Sequence, residues 1–126
     1  MTQPTDTERQ LFTQVAERLQ QHDFKGWFYG DSVGFEGLLA AGDLLGVSTW
    51  QDFSHGFFRA WSTRMRPFGL DDNTAPGHVM CEIIERTGDD VLHRAVIELA
   101  EHLYARRRVR GVAITFEDTK RALRQP

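Results

Sequence analysis

The amino-acid sequence predicts an all-α domain of antiparallel helical hairpins. Three observations predict it: apolar residues recur with a 3.6-residue period in five segments, capping residues bound those segments, and the middle of the chain repeats itself. Gly37 to Met65 and Gly77 to Ala105 each run from a glycine through an apolar helix and a short turn into a second helix, at an offset of about 40 residues. The turns are Gly46-Val47-Ser48 and Thr87-Gly88-Asp89. A period of that size is the signature of stacked helical hairpins, each covering a face its neighbour leaves open.

The elements follow in order. Thr5 and Glu8 have capping-box spacing, and Leu11, Val15 and Leu19 then share a face, which predicts a helix over about 5–22. Asp31 or Ser32 can cap a second helix over about 32–46, with the stripe Gly34, Leu38, Ala41 and Leu45. Its Gly and Ala content suits a helix packed closely on several sides. Ser48 with Gln51, or Thr49 with Asp52, can cap a third over about 49–65, whose face is Trp50, Phe53, Phe57 and Trp61. Pro67 breaks it. Asn73 or Thr74 can open a fourth over about 75–87, with Pro76 in the first turn, where its missing N–H costs nothing. The fifth, over about 89–105, carries Leu92, Val96, Leu99 and Leu103. Beyond it, 109–126 reads as an extended tail in which Val112, Ile114 and Phe116 alternate with smaller or polar residues, as in a short strand.

Composition narrows the function classes. The chain has 126 residues, the size of one domain, and 40% hydrophobic residues with nine Phe and three Trp exclude a disordered chain. A net charge of −3 argues against an electrostatic nucleic-acid binder. The single basic cluster, Arg106, Arg107, Arg108 and Arg110, reads as a solvated helix end that complements the helix dipole. Cys81 is the only cysteine, so no internal disulfide forms, and its apolar stretch suggests a small core residue. No signal peptide, lipidation motif or long apolar run is visible, so the expectation is a cytoplasmic protein without a membrane partner. The five histidines lack cysteine partners and metal-ligand spacing, and Glu98 with His102 reads as a surface pair. No phosphate loop or nucleophile elbow occurs. Neither a metal nor an organic cofactor is expected.

In a stack of up-down hairpins, alternate connections emerge at one end. The first and third connections, Gly26-Trp27-Phe28-Tyr29-Gly30-Asp31 and Pro67-Phe68-Gly69-Leu70-Asp71-Asp72-Asn73, are the longer ones and concentrate aromatics, glycines and carboxylates. Such loops on one rim of a rigid scaffold suit a binding site. Aromatic rings stack on the C–H faces of a pyranose, and carboxylates and amides take its hydroxyls, so the residue types favour a sugar. The same residues also have structural readings: Trp27 and Phe28 as plugs at the end of the core, Asp31 as a helix cap, and Asp71-Asp72-Asn73 as a turn with a cap.

The order and spacing of Trp27-Phe28-Tyr29-Gly30, Gly37-Leu38-Leu39, Asp72-Asn73-Thr74-Ala75-Pro76-Gly77, Thr87-Gly88-Asp89 and the helix from Ala95 to Leu103 resemble the N-terminal part of glycoside hydrolase families 88 and 105, the unsaturated glucuronyl and rhamnogalacturonyl hydrolases. The resemblance runs from about residue 8 to 110. It departs at Gly46-Val47-Ser48, where that family usually has Thr-Gly-Asp. It implies the first part of an (α/α)6 toroid with its pocket at the rim of longer loops. It also implies a substrate: an oligosaccharide left by a polysaccharide lyase, with a C4–C5 double bond in its terminal uronic acid. An aspartic acid protonates the vinyl ether, water adds at C5, and the resulting hemiketal opens without attack at the anomeric carbon. By motif position, Asp72 resembles one of the two family aspartates, at the pocket floor. Trp27 and Tyr29 resemble rim aromatics, and Asp71 and Asn73 flank the acid as substrate-binding candidates. The family's principal acid and base lies in a Trp-x-Asp motif expected after residue 126, because the last tryptophan, Trp61, is followed by Ser62 and Thr63. The expectation is therefore that this chain alone binds sugar weakly and does not hydrolyse it. The alternative is a stand-alone helical-hairpin module for protein interaction, with exposed hairpin faces available for self-association.

Overall fold

Thr5 opens the first helix as its capping box predicts: its side chain accepts from the N–H of Glu8, and the Glu8 carboxylate returns to the N–H of Thr5 at 2.7 Å. The computed structural model describes residues 2–26, 28–65 and 76–113. Five helices follow one another: α1 (Asp6–Gln20), α2 (Tyr29–Leu45), α3 (Thr49–Ser62), α4 (Gly77–Thr87) and α5 (Asp90–Tyr104). A two-stranded antiparallel ribbon closes the described part, β1 (Arg108–Val109) against β2 (Val112–Ala113). No described helix is long and apolar enough to cross a membrane.

The two short turns repeat one solution. Gly46 and Gly88 each end a helix in the left-handed region, at φ 69° and 66°, with their N–H groups bonded back to Gly42 and Ile84. A residue with a Cβ would be strained there. The next helix starts within three residues of each. The hairpins α2–α3 and α4–α5 then stack, with α2 touching α4 and α3 touching α5, while α1 lies on α2. Two ionic clusters register the stack at the turn end. The Arg86 guanidinium, at the end of α4, reaches both carboxylate oxygens of Asp43 on α2 at 2.8 Å, Glu82 at 2.6 Å and Gln51 of α3 at 3.1 Å. Asp89 caps α5 through Oδ1, which accepts from the N–H groups of Val91 and Leu92, and gives Oδ2 to His55 at 2.6 Å and Arg59 at 3.2 Å on α3. Both hairpins therefore point the same way.

The core lies between the hairpins. Phe35 and Leu38 of α2, Phe58 of α3, Val79, Met80 and Ile83 of α4 and Leu92 of α5 are fully buried. Phe35 sits among four rings, 4.2 Å from Phe24, 4.8 Å from Phe57, 4.7 Å from Phe58 and 6.3 Å from Phe53 between centroids. As expected of its small residues, α2 is packed on several sides, against α1, α3 and α4, and a Cβ on Gly42 would stand 2.8 Å from the Val47 carbonyl oxygen of the turn that follows.

Four expectations need correction. The second helix begins at Tyr29, so Asp31 and Ser32 lie inside its first turn as buried residues and do not cap it. Its buried stripe is Phe35, Leu38, Leu39 and Gly42. Cys81 is exposed, because the buried stripe of α4 is Val79, Met80 and Ile83 and the intervening position turns outward. Apart from these, the face of α1 is largely uncovered, with Leu11 57% and Val15 51% exposed and Ala16 its one buried residue. The third helix also ends earlier than predicted, at Ser62, and Asn73 and Thr74 lie outside the described residues.

Burial works against the ionised form of Asp89, but the hydrogen bond with His55, the N–H groups of Leu92 and Val91 and the charge of Arg59 outweigh it and hold the carboxyl below the usual carboxylate range. A carboxylate with a depressed folded-state pKa contributes stability above its unfolded value of about 4 and loses it as pH falls through the folded value. Asp89→Asn is expected to cost about 1–3 kcal/mol at neutral pH and to flatten the loss of stability below about pH 4, measured by urea unfolding across that range.

Candidate functional site

The connection between α1 and α2 is tied down by a carboxylate from the helix that follows it. Asp31 is buried, and its Oδ2 accepts from the N–H of Lys25 at 2.8 Å and of Gly26 at 3.0 Å. His22 approaches the other oxygen at 3.5 Å and sets its ring edge-on to Phe24 at 4.8 Å. Phe24 in turn stacks on Phe35, so the loop is fastened to the core at both the carboxylate and the ring.

Gly26 makes this path possible. Its φ is +81°, and a Cβ there would lie 2.5 Å from the Trp61 indole at the end of α3. Both the backbone conformation and the contact exclude a side chain. The contact also brings the α1–α2 connection to the end of α3 from which the α3–α4 connection departs. The two longer connections thus leave the same end of the stack, opposite the Arg86 and Asp89 clusters.

At this end Phe28 and Tyr29 stand 51% and 59% exposed, with their rings 4.7 Å apart. Phe28 lines a cavity of about 610 Å³ whose wall also includes Leu19, His22, Lys25 and Asp31. Tyr29, expected as a rim aromatic, is placed where stacking on a flat ligand is possible. Phe28 is exposed as well and does not plug the core. Trp27, Asp71, Asp72 and Asn73 lie outside the described residues. Asp31 acts as a structural acceptor for the loop, its Oδ2 committed to two backbone donors. His22 and Lys25 at the cavity wall were missed from sequence, where neither stood in any ligand or catalytic spacing. Among the described residues no group of three or more His, Cys, Asp or Glu side chains is arranged to hold a metal ion.

Comparison with protein-family models, with curated proteins and with solved structures found no match for the chain. Its own geometry carries the functional argument.

Asp31→Ala would leave the Lys25 and Gly26 N–H groups without their acceptor, at a cost of about 1–3 kcal/mol for a buried donor. Amide hydrogen exchange is expected to accelerate at Lys25 and Gly26 in this variant while the amides of α4 keep their protection.

Proposed function

We propose that the chain is a carbohydrate-recognition and catalytic-type helical domain resembling the glycoside hydrolases that hydrate and release unsaturated uronic acids from lyase-generated oligosaccharides. The observation that carries this reading is the exposed Phe28–Tyr29 pair, held at the end of the stack from which the longer connections leave. Parallel stacking of α2–α3 on α4–α5 supports it, since that arrangement makes both longer connections depart from one end of the stack, where binding sites are commonly built.

In this reading Tyr29 and Trp27 stack on the sugar, Asp71 and Asn73 take its hydroxyls, and Asp72 is one of two acids beside the unsaturated ring. The proton goes to the C4–C5 double bond, and the hydroxyl of water goes to C5. The hemiketal then opens and frees the leaving sugar, with no bond made at the anomeric carbon. A carboxyl group is suited to this because it supplies the proton and, once ionised, can accept one from water. Titration of the chain with an unsaturated uronyl disaccharide, followed by NMR, tests the reading. Tyr29→Ala is expected to weaken binding several-fold, the equivalent of about 0.5–1.5 kcal/mol of stacking, and Asp72→Asn to weaken it further with the helical spectrum unchanged. Unaltered binding in both variants would sink it.

One observation favours a second reading, that of a helical-hairpin interaction module. Leu11, Phe12, Val15 and Leu44 line an apolar groove of about 440 Å³ between α1 and α2, and each is exposed. An open apolar face of this kind promotes self-association. Light scattering is expected to show concentration-dependent association that Val15→Arg abolishes, and in this module Asp72→Asn would be silent.

A further inference from the structure

The arginine cluster that follows α5 is not explained by the fold. A helix dipole favours cations only within the last turn. Arg107, Arg108 and Arg110 lie beyond Tyr104, where α5 ends, and all three are exposed. None of them is paired with a carboxylate among the described residues, in a chain whose net charge is −3.

The ribbon fixes how these cations are shown. The pairings Arg108 with Ala113 and Val109 with Val112 leave Arg110 and Gly111 as a two-residue turn, at φ 51° and 81°. Such turns normally place Asn, Asp or Gly at the first position, because a left-handed conformation strains other residues. Here an arginine occupies it at the tip. Behind it, the Arg108 guanidinium lies 5.4 Å from the centre of the Tyr104 ring, which is itself 81% exposed. Cation and ring hold one another in place, so a flat aromatic face and a forked donor set are presented together. Because α5 runs alongside α3 in the same direction, the ribbon springs from the end of the stack that carries Phe28 and Tyr29.

We propose that Tyr104 and the ribbon arginines form a binding site for the uronate residues of an acidic oligosaccharide, outside the pocket to which Asp72 is assigned. The proposal rests on the carbohydrate reading above and extends it to the saturated part of the chain. A guanidinium takes a carboxylate in a bidentate pair, and a tyrosine face takes the C–H side of a pyranose. An oligouronide offers both groups on every ring. Nucleic acid offers denser charge, but the net negative charge of the protein opposes its accumulation.

Saturated hexagalacturonate, which lacks the double bond, is the probe, with its methyl ester as a neutral control and single-stranded DNA of equal charge as a competitor class. The full chain is expected to bind the hexamer in calorimetry with an affinity that falls as salt screens the contact. Replacing Arg107→Gln, Arg108→Gln and Arg110→Gln together is expected to weaken it about tenfold or more. Arg110→Asn, which suits the turn and removes one charge, should give part of that loss with the fold intact. Equal hexamer binding by the triple variant, equal binding of the ester, or tighter binding of DNA would each overturn the proposal. Binding of the unsaturated disaccharide to the triple variant is measured alongside. Sensitivity of that binding to Asp72→Asn reports on the pocket alone, so failure of the pocket reading and failure of the ribbon site are seen separately.

Discussion

Burial of Phe35 is the constraint on which the arrangement depends. Its ring meets Phe24 from the α1–α2 connection and Phe53, Phe57 and Phe58 from α3, so one side chain of α2 holds together three consecutive parts of the chain. Complete burial of such a side chain contributes about 1.5–3 kcal/mol by area alone, and its tilted and stacked ring contacts add to it. The second hairpin then covers the opposite side of α2 through Val79, Met80 and Ile83. Apolar packing supplies the adhesion here, and the polar clusters select the register.

Those clusters divide the molecule into two chemically different ends. At the turn end, every strong polar contact between elements is internal: Arg86 is satisfied by three partners, and Asp89 by two backbone donors and two side chains. Little is left there to recognise a ligand. At the loop end, the described polar groups serve backbone geometry while large rings and guanidinium groups face outward. That asymmetry is the physical basis for assigning binding to one end only.

Much of this was legible in the sequence because it is local. The Thr5–Glu8 box and the short turns Gly46-Val47-Ser48 and Thr87-Gly88-Asp89 concern groups within a few residues of one another. Asp31 was not legible, because a carboxylate can serve N–H groups ahead of it or behind it with equal chemistry, and only tertiary packing selects Lys25 and Gly26. Periodicity likewise shows that Leu11 and Val15 share a side, not what covers it, so an exposed hairpin face could be expected without being placed on α1. For Cys81 the apolar run was misleading, since the helical period was already set by Val79 and Ile83 and turned the thiol outward. Of the candidate site, residue type and loop length singled out Tyr29, which the structure leaves exposed. The cavity lined by Phe28 was not legible, because His22 and Lys25 become its neighbours only when Asp31 draws the loop back.

The attachment of that loop has a thermodynamic side. Phe28 is the N-cap and Tyr29 the first residue of α2, the helix whose Asp31 fixes the Lys25 and Gly26 N–H groups, so both rings are carried on a helix end tied to the preceding connection. Ordering a mobile loop on association typically removes about 1 kcal/mol or more per residue of the gross attraction. A pre-set platform keeps that part of the contact energy. A ring stacked on such a platform would keep its other face open to water.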